Sequence, residues 1–389
     1  MSELGRTERA ALAAIALSTV LAGIARYAHG VSQVLAFALA TLALAGQAWI
    51  VSFATEQVGR RLGPAITGLM QSTVGNLPEF FVVIFALGAG QRIVAETAIL
   101  GSILVNALLV LGLVIVAGAR RAGDHVMRFS PRLPNDTATL LLVSTFIIVL
   151  IGLANSAHDT ASHHTQTISI VGAVAILVVY ASWLRQYLRP DGNPVPRAEQ
   201  PRAEQQRAEQ PCAEQQRAEQ PSAHQTDARD PDAEQPRLPA RVSIALLAIA
   251  GTASAFVSDW FVHALQPTIQ TLHISQAFAG LVIVAIAGNA VENVAGIVLA
   301  AKGRSELAIS VVKNSVAQIA AFLYPLLVLV SLLTATTLTF SLAPVYIGAL
   351  FGSALIVWQI TGDGEATVFE GAALIATFVI LATVAAFET

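Results

Sequence analysis

The chain has 389 residues, 55% of them hydrophobic and only 12% charged, with a formal net charge of −3. A soluble domain is nearer a quarter charged, so this composition excludes an ordinary soluble class. No basic aromatic surface points to nucleic acid, and the single cysteine, Cys212, excludes an internal disulfide.

The apolar residues fall in blocks long enough to cross about 30 Å of hydrocarbon. In chain order the predicted membrane spans are 10–28, 31–55, 64–88, 94–118, 136–156, 166–188, 241–264, 275–301, 305–333, 339–360 and 367–387. Residues 1–28 carry Arg6 and Arg9 ahead of an apolar run, as a secretory leader does. Ten further spans follow, so this segment reads as the first membrane anchor. The span at 305–333 is long enough to tilt or break.

Positive charge sets the expected orientation. With the N-terminus in the cytoplasm, the inner side receives Arg6, Arg9, Arg60, Arg61, Arg120, Arg121, Arg128, Arg132, Lys302, Arg304 and the arginines of the 185–241 loop. The outer side receives only Arg26 and Arg92. Eleven spans then place the C-terminus outside. Nothing at the end of the chain reads as an organelle address, so the expected location is a bacterial-type plasma membrane.

The organisation expected is an all-α integral membrane protein: an N-terminal helix (1–30), a five-helix half (31–188), a linker (189–240) and a second five-helix half (241–389). The linker repeats PRAEQ, QRAEQ, PCAEQ, QRAEQ and PSAHQ, has no apolar face to bury and reads as a cytoplasmic tether. The flanking halves resemble each other. Residues 54–79 and 257–292 each contain an acid after a small residue (Glu56, Asp259), a Gly-Leu pair (Gly68-Leu69, Gly280-Leu281) and then GNxxE. A short polar hairpin and another span follow each. An odd number of spans per half inverts the second relative to the first, an arrangement secondary transporters use.

The chemistry concentrates in GNLPE (Gly75 to Glu79) and GNAVE (Gly288 to Glu292), each inside an apolar span. An ionisable residue at that depth costs about 2.5–3.5 kcal/mol even on the lenient insertion scale and marks an ion or substrate path by default. Inverted symmetry would carry Glu79 and Glu292 to the same depth. Pro78 lacks an N–H and Gly75 loosens the same turn, so the first of these helices is expected to break there, and the fold is expected to have broken helices at the ion site. Two carboxylates, the amide oxygens of Asn76 and Asn289, and freed carbonyls make an all-oxygen cage. Such a cage suits Ca2+ better than Mg2+, which demands a strict octahedron. Burial and mutual repulsion also favour protonated carboxyls, so the pair is expected to hold either protons or a divalent cation.

Around this pair, Ser102 and Asn106 share a face of one span, and Ser315 and Gln318 share a face of another. They read equally as ligands or as helix-packing polar groups. Glu56 and Asp259 are expected at span ends, where they would gather cations or simply be solvated. Lys313 is expected to snorkel to the inner interface. His158, Asp159, His163 and His164 read as a solvated outer loop. No cofactor is expected, and the absence of a GxxxxGK[ST] loop argues against ATP-driven transport.

The stretches ATEQVGRRLGP, TVGN, LGSILVNALLVLG, GNAVEN and SVAQIAAFLYP resemble the repeat signatures of the cation/proton exchanger (CAX) family of the cation/Ca2+ exchanger superfamily. The resemblance covers about residues 54–118 and 255–330. It implies an eleven-span inverted-repeat fold and Ca2+/H+ antiport. It also implies Glu79 and Glu292 as central ion-binding residues, with Asn76, Asn289, Ser102, Ser315 and Gln318 lining the site. Asn293 stands where the family usually has His, Val105 where Ser is usual, and Lys313 replaces an apolar residue. Na+ or K+ as one transported ion stays open, as do a homo-oligomer, a passive cation channel and an intramembrane enzyme.

Overall fold

The computed structural model describes residues 5–59, 61, 70, 74–187 and 238–388. The Gly68-Leu69 pair and most of the 189–240 linker lie outside the described residues. The described helices are α1 (Arg6–Tyr27), α2 (Gln33–Gly59), α3 (Leu77–Gly88), α4 (Arg92–Arg121), α5 (Arg132–Ser156), α6 (Thr165–Tyr187) and α7 (Ala240–Leu272). They continue with α8 (Gln276–Gly288), α9 (Ala290–Ala301), α10 (Ser305–Leu333), α11 (Pro344–Thr361) and α12 (Val368–Phe387).

Among the described residues, nine of these helices are long and apolar enough to span a membrane, and the bent pair α8–α9 makes a tenth. The expected span at 64–88 is described mainly as α3, only 12 residues long. The protein is thus an integral multi-pass membrane protein.

In lipid, helices associate through close packing and interhelical hydrogen bonds rather than through a hydrophobic drive. The crossing of α4 and α8 illustrates this. A Cβ on Gly101 would stand 2.3 Å from the Leu281 carbonyl oxygen, and one on Gly280 would stand 2.0 Å from Thr97 Oγ1. Only glycine permits that approach, which brings a helix of the first half against one of the second. Helix α4 is consequently enclosed along most of its length, whereas α1 leaves Leu17, Val20, Ile24 and Tyr27 exposed on its outer face.

Local geometry repeats across the two halves. Asn76 (φ −87°, ψ 12°) and Asn289 (φ −96°, ψ 11°) take nearly the same backbone angles where α3 and α9 begin. The hairpins that follow also correspond: Gly90 and Gly303 have φ of 73° and 79°. Gln91 and Arg304 have φ/ψ of −87°/61° and −89°/62°. Each following helix, α4 and α10, then carries a π-helical turn, at Val105–Val110 and Ile319–Leu323. The 305–333 span is therefore distorted but not severed.

Three features differ from the sequence-based expectation. Two short strands, β1 (Val126–Arg128) and β2 (Glu365–Thr367), pair antiparallel and tie the loop after α4 to the loop after α11. Arg128 bonds Glu365 at 3.1 Å and Asp124 at 2.6 Å, and holds the exposed Asp124 carboxyl below the usual carboxylate range. The Ser130 N–H donates to Glu306 at 2.6 Å, so the loops expected on one side do meet. Second, α7 has 33 residues, about 50 Å at 1.5 Å per residue, and runs on through Pro267. Asp259 is therefore inside this helix and not at a span end. Third, Lys313 does not snorkel to an interface: it is 2% exposed, and its Nζ donates to Thr361 Oγ1 at 3.2 Å.

Candidate cation site

Each GNxxE motif places its glutamate in the first turn of a helix that begins just after the motif's Asn: Glu79 in α3 and Glu292 in α9. The second break turns the chain by 62° between α8 and α9. A helix N-terminus favours negative charge and a helix C-terminus favours cations. The first turn of α9 thus steadies Glu292 while the carbonyl end of α8 points toward the same region. Broken helices are tolerated at membrane depth where the freed backbone faces protein or a lined cavity.

The two motifs cross. Glu79 is 6% exposed and packs against the backbone of Gly288, where an added Cβ would stand 2.9 Å from Glu79 Cγ and 3.3 Å from Oε1. Glu292 lies within electrostatic reach of Glu79. Ser258 Oγ of α7 donates to the Pro78 carbonyl of α3 at 3.4 Å.

A chain of hydrogen bonds holds the second glutamate. Ser315 Oγ donates to Glu292 Oε2. Asn106 Nδ2 donates to Ser315 Oγ at 3.1 Å and to Asn289 Oδ1 at 3.0 Å. Asn289 Nδ2 in turn donates to Ser102 Oγ at 2.9 Å and to the Ala285 carbonyl at 3.0 Å. Ser102, Asn106, Asn289 and Ser315 are all buried. Four helical segments from both halves are thereby joined through polar side chains at one level.

Side-chain oxygens buried without a hydrogen-bond partner include Glu79 Oε1 and the Oδ1 atoms of Asn293 and Asn314, which respectively follow Glu292 and precede Ser315 in the chain. A buried acceptor left unsatisfied costs about 1–3 kcal/mol, and a hard cation satisfies it as a donor would. No group of three or more His, Cys, Asp and Glu side chains forms among the described residues, so neutral oxygens must complete any coordination shell built on this pair.

Of the residues singled out by sequence, the structure brings together Glu79, Glu292, Asn289, Ser102, Asn106 and Ser315. Asn76 is buried at the break before α3. Gln318 is half-buried a turn beyond Ser315, and no hydrogen bond joins it to the chain described above. Glu56 stands in the last turn of α2. Asn293 and Asn314, whose side-chain oxygens are buried without a partner, are not among the site residues the sequence singles out, because neither lies within a GNxxE motif. A separate cavity of about 550 Å3, lined by Glu96, Thr97, His273, Tyr346 and Glu388, contains none of these residues.

A multi-pass membrane protein with crossed, broken helices and a buried carboxylate pair between them is a secondary transporter in architecture. Residues 32–185 and 242–387 match the family described as Sodium/calcium exchanger protein, and the chain belongs to that family. It is 31% identical over 360 residues to the vacuolar calcium ion transporter of Schizosaccharomyces pombe, covering 89% of this chain and 77% of that one. It is 27% identical to the Ca(2+)/H(+) antiporter ChaA of Bacillus subtilis, over 95% of this chain and 96% of that protein. The fold matches the solved structure of native YfkE with a TM-score of 0.74 at 24% identity, covering 97% of this chain and all of the other.

Proposed function

We propose that this protein exchanges Ca2+ for H+ across a membrane, and that Glu79 and Glu292 carry either the cation or the protons. The observation that carries this reading is the crossing of the two GNxxE helices, with Glu79 Oε1 buried and unpartnered against Gly288. Each carboxylate binds a divalent cation only after losing its proton, so the two cargoes exclude one another at a single site. Asn76, Asn289, Ser102, Ser315 and Gln318 contribute oxygens or hold the glutamates, and Asn293 and Asn314 are further oxygen donors. The relatives named as calcium transporters and Ca(2+)/H(+) antiporters favour the same ion pair.

Two inverted five-helix halves, 31–188 and 241–389, rock about this midplane site to give alternating access. The protein sits in a bacterial-type plasma membrane with its N-terminus in the cytoplasm and its C-terminus outside. Sealed vesicles test the reading. A pH gradient, alkaline on the Ca2+ side, should drive saturable 45Ca2+ uptake that Glu79→Gln and Glu292→Gln each abolish. Uptake driven by Na+ or K+ but not by the pH gradient would reassign the counter-ion.

A further inference from the structure

A second, smaller cavity lies away from the carboxylate pair, between the end of α1, the α1–α2 loop and the last third of α7. Its volume is about 260 Å3, and its polar lining includes Arg26, His29, Gln33, Trp260 and His263, with no acidic side chain among the residues that line it. Two of its N–H donors, Arg26 Nε and Trp260 Nε1, are buried with no hydrogen-bond partner. The ring of Trp260 is held in place: it packs on Gly23, where a Cβ would stand 3.0 Å from Cη2, and meets Tyr27 edge-on at 6.4 Å. The Arg26 guanidinium lies 5.3 Å from the Tyr27 ring centre. Unlike Arg92, which pairs with Glu96 at 2.7 Å, Arg26 forms no ion pair with a carboxylate among the described residues.

A cavity that offers buried unpartnered donors and a cation, with no carboxylate in its lining, recognises an oxyanion. Its depth adds a second constraint. Tyr27 and Trp260 flank the end of α1, where amphipathic rings sit at headgroup level. The exposed Leu17, Val20, Leu21 and Ile24 run along α1 beneath them as an apolar track for an acyl chain. We propose that this cavity binds a phosphate-type oxyanion, which in the membrane is the headgroup of a phospholipid. Because α7 also contacts the GNLPE break through Ser258, the bound headgroup would brace α1 against the helix beside the cation site.

Native mass spectrometry of the purified full chain tests this. It is run with dioleoylphosphatidylglycerol, with dioleoylglycerol (the same chains without phosphate), and with inorganic phosphate. The expected result is an adduct with the phospholipid and none with the diacylglycerol. Arg26→Gln should weaken it by on the order of tenfold or more, and Trp260→Phe, which keeps an aromatic ring but loses the indole N–H, by less. Should Arg26→Gln fail to fold, the Trp260→Phe comparison alone decides. Adduct formation with inorganic phosphate only, sensitive to the same substitutions, would keep the oxyanion site and assign it a soluble occupant. Equal retention of both lipids, or phosphate-dependent binding indifferent to both substitutions, would overturn the proposal.

Discussion

Glu79 rests on the backbone of Gly288, so the acid of one GNxxE motif is seated on the opening residue of the other. The contact works only because residue 288 has no side chain: a methyl group there would stand 2.9 Å from Glu79 Cγ. It fixes the distance between the halves where the charges meet.

Gly288→Ala should therefore impair transport while leaving the fold intact. Overpacking of this kind costs about 1–3 kcal/mol, roughly a five- to 150-fold loss in Ca2+ affinity. Gly348→Ala, whose Cβ would meet nothing within 4 Å, is the matched control and should transport normally. Concentration-dependent 45Ca2+ uptake by the two variants checks this.

Asn106 is the hinge of the hydrogen-bond chain, since its one amide nitrogen serves both Asn289 and Ser315. Asn106→Leu removes both bonds and leaves their acceptors buried, at about 1–3 kcal/mol. The expected outcome is a KM for Ca2+ raised by about tenfold, with expression and thermal stability reduced only modestly. An unchanged KM would mean the chain serves packing alone.

Lys313 and Thr361 make an asymmetric pair. Replacing a buried ion-forming group by an apolar side chain of similar volume is often neutral or stabilising, whereas removing only its partner strands it. Lys313→Met should keep or raise the thermal unfolding temperature in detergent. Thr361→Val, which takes away the hydroxyl 3.2 Å from Nζ, should lower it by the equivalent of about 1–3 kcal/mol.

Much of this architecture is readable from the chain because lipid leaves little choice: apolar blocks of sufficient length become helices, and their ends fall near the expected residues. The GNxxE breaks are legible too, since Pro78 and the glycines disturb helices at positions where a carboxylate is also out of place. What sequence reading lost depended on partners distant in the chain. Asp259 reads as a span-end residue because the apolar block closes at about residue 264. The helix runs on, and Thr268 Oγ1 donates back to the Ala264 carbonyl at 2.7 Å while lying 3.2 Å from the Gln33 carbonyl of α2. Lys313 was expected at the interface because nothing near it announces Thr361. Strands of three residues are too short for any period to reveal. Asn106 was noted for its spacing from Ser102, but its reach to Asn289 and Ser315 exists only once the halves cross.

Calorimetric Ca2+ binding to the purified protein across pH, in buffers of different ionisation enthalpy, tests the shared carboxylate pair most directly. Competition predicts that Ca2+ binds more tightly as pH rises and that binding expels one or two protons. Both effects should shrink in Glu79→Gln and Glu292→Gln. An affinity indifferent to pH, with no proton expelled by the unsubstituted protein, would contradict it.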